Sequence, residues 1–251
     1  MTNAFKTLGI TGAGGNVGRT LQRSLAPEYE LRLFDRAPIR PEISGAVYAA
    51  DFGEPGAWAE QFQGLDALIH LAGDPRPNAP EASTYRNNFR AASYVFEAAR
   101  QAGVKKIVFA SSNFYHEGAI RQILTAPSSA LIRLGDNPTP LCLYGKSKVF
   151  GEELGRHYAH LGGQFAALRI GWTVPEDNPT RYWGDYMRAV FCSHRDLTGF
   201  VRAALAIERD FLTAFAVSAN QRGIFDLEET TALLGYSPQD NAEAYESIPG
   251  R

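Results

Sequence analysis

The feature that most constrains this chain is a glycine-spaced turn, TGAGGNVG at residues 11–18, set between an aliphatic run and an amphipathic one. Gly12, Gly15 and Gly18 recur every three residues. Glycine allows a tight turn and lets the backbone approach a ligand with no Cβ in the way. A helix starting there points unpaired N–H groups and the positive end of its dipole at the turn, which suits an anion. The segment therefore predicts a pyrophosphate cradle formed by Gly12, Gly15, Asn16, Val17 and Gly18. A purely structural turn can carry the same glycines. The strand before and the helix after are the context that favours a dinucleotide.

The rest of the chain alternates short β-branched or aliphatic runs with longer helical patterns, the signature of a parallel sheet covered by helices. Strands are expected at Phe5 to Thr11, Glu30 to Asp35, Ala67 to Leu71, Lys106 to Ala110, Gln164 to Ile170 and Phe211 to Ser218, with a weak one at Ala46 to Ala49. Helices are expected at Val17 to Leu25, Pro55 to Phe62, Tyr85 to Gln101, Leu143 to His160, His194 to Ile207 and Phe225 to Leu234. In the third of these, Phe89, Ala92, Phe96 and Ala99 share one face, and Gly103 is a helix stop. The stretch from Asn113 to Leu141 shows no clear period and reads as a long surface excursion. The pattern predicts an α/β, Rossmann-type doubly wound parallel sheet in a single domain over residues 1–251. Residues from about 171 onward would serve mostly the substrate side.

Composition narrows the function classes. The formal net charge is -2 with no long run of one sign, so neither a nucleic-acid nor a membrane partner is expected. No apolar stretch approaches the ~20 residues needed to span a bilayer. The N-terminus lacks the apolar core and cleavage site of a signal peptide. Cys142 and Cys192 are far apart and suit a reducing cytoplasm. Cys142 has no evident base partner and reads as a packed thiol. His70 on an apolar strand reads as a core histidine. His116, His157, His160 and His194 show no ligand spacing with nearby acids, so no metal site is expected.

Two further groups carry chemistry. Asp35 ends the second strand, where a carboxylate would accept hydrogen bonds from an adenosine ribose diol and repel a 2′-phosphate. That favours NAD over NADP, although the adjacent Arg36 would soften the preference. A solvated strand-end carboxylate is the alternative. Asp51 and Phe52, after the third strand, would flank the adenine. Tyr144 and Lys148 lie four apart near a helix start, so both reach one ligand. A phenol titrates near ~10, too high for a base at neutral pH. A nearby ammonium, joined by the charge of an oxidised nicotinamide, would lower that value and let Tyr144 accept a proton. Ser111 and Ser112 follow a central strand, where a hydroxyl can hold the reacting oxygen. Alone, the Tyr–Lys spacing is common at solvated helix ends and the serine is a common cap; the combination carries the signal.

Together these residues resemble the short-chain dehydrogenase/reductase superfamily in its extended, epimerase-like branch. TGAGGNVG matches the glycine turn, and Ser112, Tyr144 and Lys148 match the catalytic triad. By that resemblance HLAG at 70–73 lies beside the cofactor, which adds Leu71, Ala72 and Gly73 to the cofactor set, and Ile170 joins them. Asn88 would hold a proton-relay water, or else be an interior polar group bonded to the backbone. A closer likeness extends over nearly the whole chain. HLAGDPRPNAP, FASSN, LYGKSK, LRIG, FCSHRD and LGYSPQDNAEA resemble uronate dehydrogenases and related NAD-dependent sugar or sugar-phosphate dehydrogenases.

That likeness implies oxidation of an anomeric carbon to a lactone. Ser112 and Asn113 would contact the sugar, Arg169 would bind its acidic group and Ser193 would line the pocket. A guanidinium suits a carboxylate or phosphate; a structural Arg paired inside the protein is the other reading. Two positions depart from the uronate pattern: Phe114 stands where a histidine is usual, and Asp74-Pro75-Arg76 replaces a hydroxyl-bearing loop, so that Arg76 would help hold an anion. The alternatives are a sugar-nucleotide epimerase or dehydratase using the same triad, or a non-catalytic NAD-binding regulator. The short chain beyond Arg169 leaves little room for a nucleotide-gripping lobe. The superfamily often dimerises through its two long helices, and a homodimer is the expected assembly.

Overall fold

The computed structural model describes residues 5–41, 43, 45–126 and 130–245. Among them seven strands form one parallel sheet: β1 (Thr7–Thr11), β2 (Glu30–Asp35), β3 (Ala46–Ala49), β4 (Ala67–His70), β5 (Lys106–Ser112), β6 (Gln164–Ile170) and β7 (Phe211–Ala216). Their order across the sheet is β3-β2-β1-β4-β5-β6-β7, every neighbouring pair parallel. The winding reverses between β1 and β4, and the crevice outside the strand ends at such a reversal is where open α/β sheets bind ligands. This is the doubly wound sheet that the sequence predicts.

The central strands read as near-continuous apolar runs because helices cover both of their faces. On one face α1 (Asn16–Leu25) and α7 (His194–Ala206) pack Leu21, Leu25, Leu197 and Phe200 onto Leu8, Ile10 and Leu168. On the other, α3 (Ala91–Gln101) and α5 (Leu143–His160) pack Val95, Phe96 and Tyr158 onto Leu68, Phe109 and Phe165. The edge strand β3 is largely exposed, which explains its weak sequence signal.

α5 approaches the sheet closely because two glycines face it. A Cβ at Gly151 would lie 2.4 Å from the Phe109 ring, and one at Gly155 would lie 2.2 Å from the Phe165 ring. That close approach sets the position of the Tyr144–Lys148 pair carried at the helix start.

Several boundaries differ from expectation. β1 begins at Thr7 rather than Phe5, β4 ends at His70, β5 runs on to Ser112 and β7 ends at Ala216. The helix expected at Tyr85 to Gln101 starts earlier, as α2 (Glu81–Thr84), and passes through a π-helical turn at Tyr85–Arg90 before α3. The 55–62 segment is a 3-10 turn over Ala57–Phe62.

The excursion after Asn113 is not irregular throughout. A 3-10 turn, Asn113–His116, leads into α4 (Glu117–Thr125), which buries Ile120 against Val190 and Phe215 with Ile123 and Leu124 beside it. Residues 127–129 of that excursion lie outside the described residues. The short helix α6 (Asp185–Val190) was not anticipated. The last helix, α8 (Glu228–Leu234), starts three residues later than expected because Phe225 is engaged in a parallel bridge with Ile132. Residues after 171 supply β7, α7 and α8 to the sheet and its cover, as well as one wall of the cleft.

Candidate active site

A cavity of ≈ 1030 Å³ opens at the strand ends where the winding reverses, and the glycine turn forms one end of it. Gly12 adopts φ +66, and a Cβ there would lie 2.8 Å from the Ala72 backbone N, so the turn can sit against the end of β4 only as glycine. A Cβ at Gly18 would lie 2.5 Å from the Ala13 carbonyl, which fixes how tightly α1 seats under the turn. Gly15 caps α1 with no side-chain hydrogen bond, and it lines the cavity with Asn16, Val17 and Gly18. This arrangement fits a pyrophosphate: close backbone, a helix N-terminus without a side-chain cap, and no Cβ at the N-cap.

Asp35, at the end of β2, lines the next part of the cavity and is held in place by the turn itself. Its Oδ2 accepts the Gly14 N–H at 2.8 Å and its Oδ1 accepts the Ala37 N–H at 3.0 Å. Arg36 also faces the cavity and donates to Asn87 Oδ1 at 3.2 Å. Asp51 lines the cavity while accepting two hydrogen bonds from Arg86, at 2.9 and 3.0 Å; this guanidinium lowers the pKa of its carboxyl. Phe52 packs edge-on against Trp58.

Leu71, Ala72 and Gly73 line the floor. The Thr11 hydroxyl accepts the Leu71 and Ala72 N–H groups at 3.1 and 3.2 Å and lies 2.8 Å from His70 Nδ1. Burial, with the nearby Lys148 charge, drives His70 down to about 3, so it is a neutral core histidine.

The chemical groups converge on the opposite wall. Tyr144 stands in the first turn of α5, one turn before Lys148, and both line the cavity with Ser112 and Asn113 from the end of β5. Lys148 Nζ donates to the Ala110 carbonyl at 2.8 Å and lies 5.3 Å from the Tyr144 ring centroid. Burial lowers Lys148 to about 8. Tyr144 departs from expectation in one respect. Burial raises its hydroxyl, and the hydrogen bond with Ser112 is the opposing pull, so the neighbouring ammonium alone does not acidify the phenol. Cys142 is the N-cap of α5, its Sγ accepting the Gly145 N–H at 3.4 Å, and burial pushes that thiol up.

Three expected site residues do not line the cavity. Arg169 is 2 % exposed and each nitrogen of its guanidinium is engaged inside the protein. It donates to both Glu152 oxygens at 3.0 and 2.9 Å, to His116 Nε2 at 2.9 Å and to the Leu134 carbonyl at 3.0 Å, with the Tyr115 ring beneath it. It therefore pairs internally, and the expectation that it grips a substrate anion is corrected. Ser193 is buried as the N-cap of α7, accepting the Asp196 N–H and donating to Asp240 at 2.6 Å. Asn88 is occupied at both ends of its amide. Oδ1 accepts the Asp74 N–H at 2.8 Å, and Nδ2 donates to the Asp74 carbonyl and to Ser147. It ties the loop after β4 to α5 beside Lys148.

Residues 8–177 match the NAD dependent epimerase/dehydratase family. The chain belongs to that family. This epimerase/dehydratase-family chain is 35% identical over 249 residues to the NAD-dependent glucose-6-phosphate dehydrogenase of Haloferax volcanii, covering 94% of each. It is 36% identical over 247 residues to the uronate dehydrogenase of Agrobacterium fabrum, covering 96% of this chain and 87% of that one. Its fold matches a solved uronate dehydrogenase from Agrobacterium tumefaciens, a tyrosine-to-alanine mutant complexed with NAD. The TM-score is 0.83 at 31% identity, covering 99% of this chain and 92% of that one.

Some cavity residues of this family member were not expected among the site residues. The π-helical turn carries Asn87 onto the cavity wall and Asn88 into the interior, so adjacent asparagines take different tasks. Phe114, Trp172 and Tyr186 line the cavity as well, and the Phe114 ring stands edge-on to Tyr144 at 5.5 Å. Trp172 directly follows the LRIG segment and was within reach of sequence reasoning. Tyr186 was not, because α6 is only one and a half turns long.

Proposed function

We propose that this chain is an NAD-dependent sugar dehydrogenase that takes a hydride from the anomeric carbon of an acidic sugar and releases a lactone. One observation carries the reading: Tyr144, Lys148 and Ser112 share a single cavity with the glycine turn and Asp35. The curated relatives of 35 and 36% identity, which span nearly the whole chain, support the class of reaction. Gly12, Gly15, Asn16, Val17 and Gly18 hold the cofactor pyrophosphate. Asp35 takes the adenosine ribose diol and selects NAD over NADP. Asp51 and Phe52 flank the adenine; Leu71, Ala72, Gly73 and Ile170 complete the cofactor side. Oxidised NAD, when bound, supplies the hydride acceptor and a positive ring charge.

Ser112 and Asn113 orient the anomeric hydroxyl. Tyr144 takes its proton as the C1–H bonding pair departs and the carbonyl of the lactone forms. Lys148, anchored on the Ala110 carbonyl, adds its ammonium to the ring charge of bound oxidised NAD, and the two together would favour the ionised phenol against the burial that raises it. With Arg169 engaged elsewhere, the acidic group of the sugar falls to Arg76, whose Nε and Nη2 are held by Asp74 at 2.9 and 2.7 Å while Nη1 has no partner among the described residues. Asn88 acts by positioning that loop. Residues from 171 onward contribute the substrate wall within one domain. No helix among the described residues is long and apolar enough to cross a membrane; the cytoplasm is the compartment that suits an NAD-linked enzyme with two free thiols, and the outer face of α3 and α5 would join two copies in a homodimer.

The test is NADH formation, followed by absorbance, with D-glucuronate, D-glucose 6-phosphate and neutral aldoses, repeated with NADP. Turnover of an acidic sugar with NAD is expected. Tyr144→Phe should lower kcat by about 100-fold or more, the range for loss of a general base, with NAD affinity nearly intact. Conversion of a nucleotide sugar with no net NADH would refute the reading.

A further inference from the structure

The cavity contains a second phenol that the proton-transfer chemistry does not use. Tyr186, on α6, lines the cavity, and its hydroxyl oxygen accepts the Asn113 Nδ2–H at 2.6 Å. Asn113 is buried, and its Oδ1 accepts the Ser112 hydroxyl at 3.1 Å. A phenol that accepts in this way still carries its own proton. No acceptor takes that proton among the described residues. Burial pushes Tyr186 up to about 12, so it remains a donor across the working range of pH.

Beside it stands Trp172, 39% exposed on the same cavity, with its ring 5.3 Å from Tyr182 and 6.0 Å from Tyr186. Its backbone is fixed at both groups: the N–H donates to the Val190 carbonyl at 2.8 Å, and the carbonyl accepts the Cys192 N–H at 3.1 Å. An exposed indole on so rigid a support presents an apolar face to the cavity. The C–H face of a sugar in ring form offers a flat apolar surface with hydroxyls around its rim. An acyclic polyol has no such face.

We propose that Trp172 and Tyr186 form a substrate-reading pair. The indole receives the C–H face of a cyclic sugar, and the Tyr186 O–H donates to an oxygen on its rim. Asn113 holds the phenol and links it to Ser112, so the group that reads the ring is coupled to the group that holds the reacting hydroxyl. This inference rests on the sugar-oxidising reading above and narrows its ring-form substrate to sugars with an acceptor oxygen within reach of Tyr186.

The experiment compares wild type, Tyr186→Phe, Trp172→Ala and Trp172→Phe on the best substrate among D-glucuronate, D-glucose 6-phosphate and L-arabinose. Each enzyme is also assayed on the monodeoxy analogues of that sugar and on an acyclic polyol. Loss of one neutral hydrogen bond should raise KM about three- to tenfold, with the calorimetric Kd for NAD unchanged. Wild type should discriminate against one deoxy analogue, and Tyr186→Phe should lose that discrimination, a readout that a merely structural tyrosine would not move. Trp172→Ala should raise KM for the ring sugar, and Trp172→Phe should restore most of it. A Tyr186→Phe enzyme with unaltered KM and deoxy profile, or Trp172→Ala with unaltered KM, would overturn the pair while leaving the dehydrogenase reading intact. NADH formation with none of the sugars by wild type would remove both.

Discussion

At the scale of single residues, Arg169 shows how little an exposed-looking motif says about where a charge points. The LRIG segment gave its strand correctly, but the partner that decides the guanidinium's role, Glu152, lies 17 residues upstream on another element. Only the packing of α5 on β6 brings the two together, at 2 and 1% exposure. Removing one member of a buried ion pair leaves a charge without compensation and typically costs about 3–5 kcal/mol. Arg169→Met should therefore lower the urea midpoint by a corresponding amount, and any activity that survives should keep its KM. A raised KM with unchanged stability would return Arg169 to the substrate. The places of Tyr144, Lys148, Ser112 and Asp35 on the cavity were legible because they follow from short spacing to a strand end or helix start. The place of Tyr186 was not, since it is set by a contact 73 residues distant.

At the scale of elements, α5 carries much of the design. Tyr144, Lys148 and Glu152 follow at intervals of four on one side, so a single helix face bears the phenol, its ammonium and the carboxylate that anchors Arg169. Gly151 and Gly155 let this helix sit directly on Phe109 and Phe165. Gly155→Val would force side chain into ring, and overpacking of this kind costs about 1–3 kcal/mol. Chemical denaturation should show that loss with an unchanged slope; a stability equal to wild type would mean the helix has slack the structure does not show. Strands and long helices were legible because burial on two faces or one writes a clear period into the sequence. α4 and α6 were missed for the opposite reason. Each is short, and the apolar residues of α4 are matched to Val190 and Phe215, partners far along the chain.

At the scale of the whole molecule, the parallel sheet buries several ionisable groups that the unfolded chain would titrate normally. Burial takes His70 and His116 from 6.5 to about 3 and about 4. Between those values the unfolded chain binds protons that the folded one does not, so stability falls as pH drops through that window. Lys106, which donates to the Ala204 and Leu205 carbonyls at the end of α7, and Lys148 are both lowered to about 8. From 8 to 10.5 the unfolded chain again holds more protons, and stability rises with pH there. The melting temperature should accordingly be lower at pH 5 than at pH 8; a flat or inverted profile would contradict this burial pattern. The proposed function turns on one event in the cavity, the departure of hydride from C1 as Tyr144 removes the hydroxyl proton. The direct measurement is oxidation of a substrate sugar carrying deuterium at C1, with the products examined by mass spectrometry. The expected result is deuterium in the NADH, an unlabelled lactone and a slowed single-turnover rate. NADH that carries no deuterium, or a sugar that keeps its label while changing configuration, would contradict it.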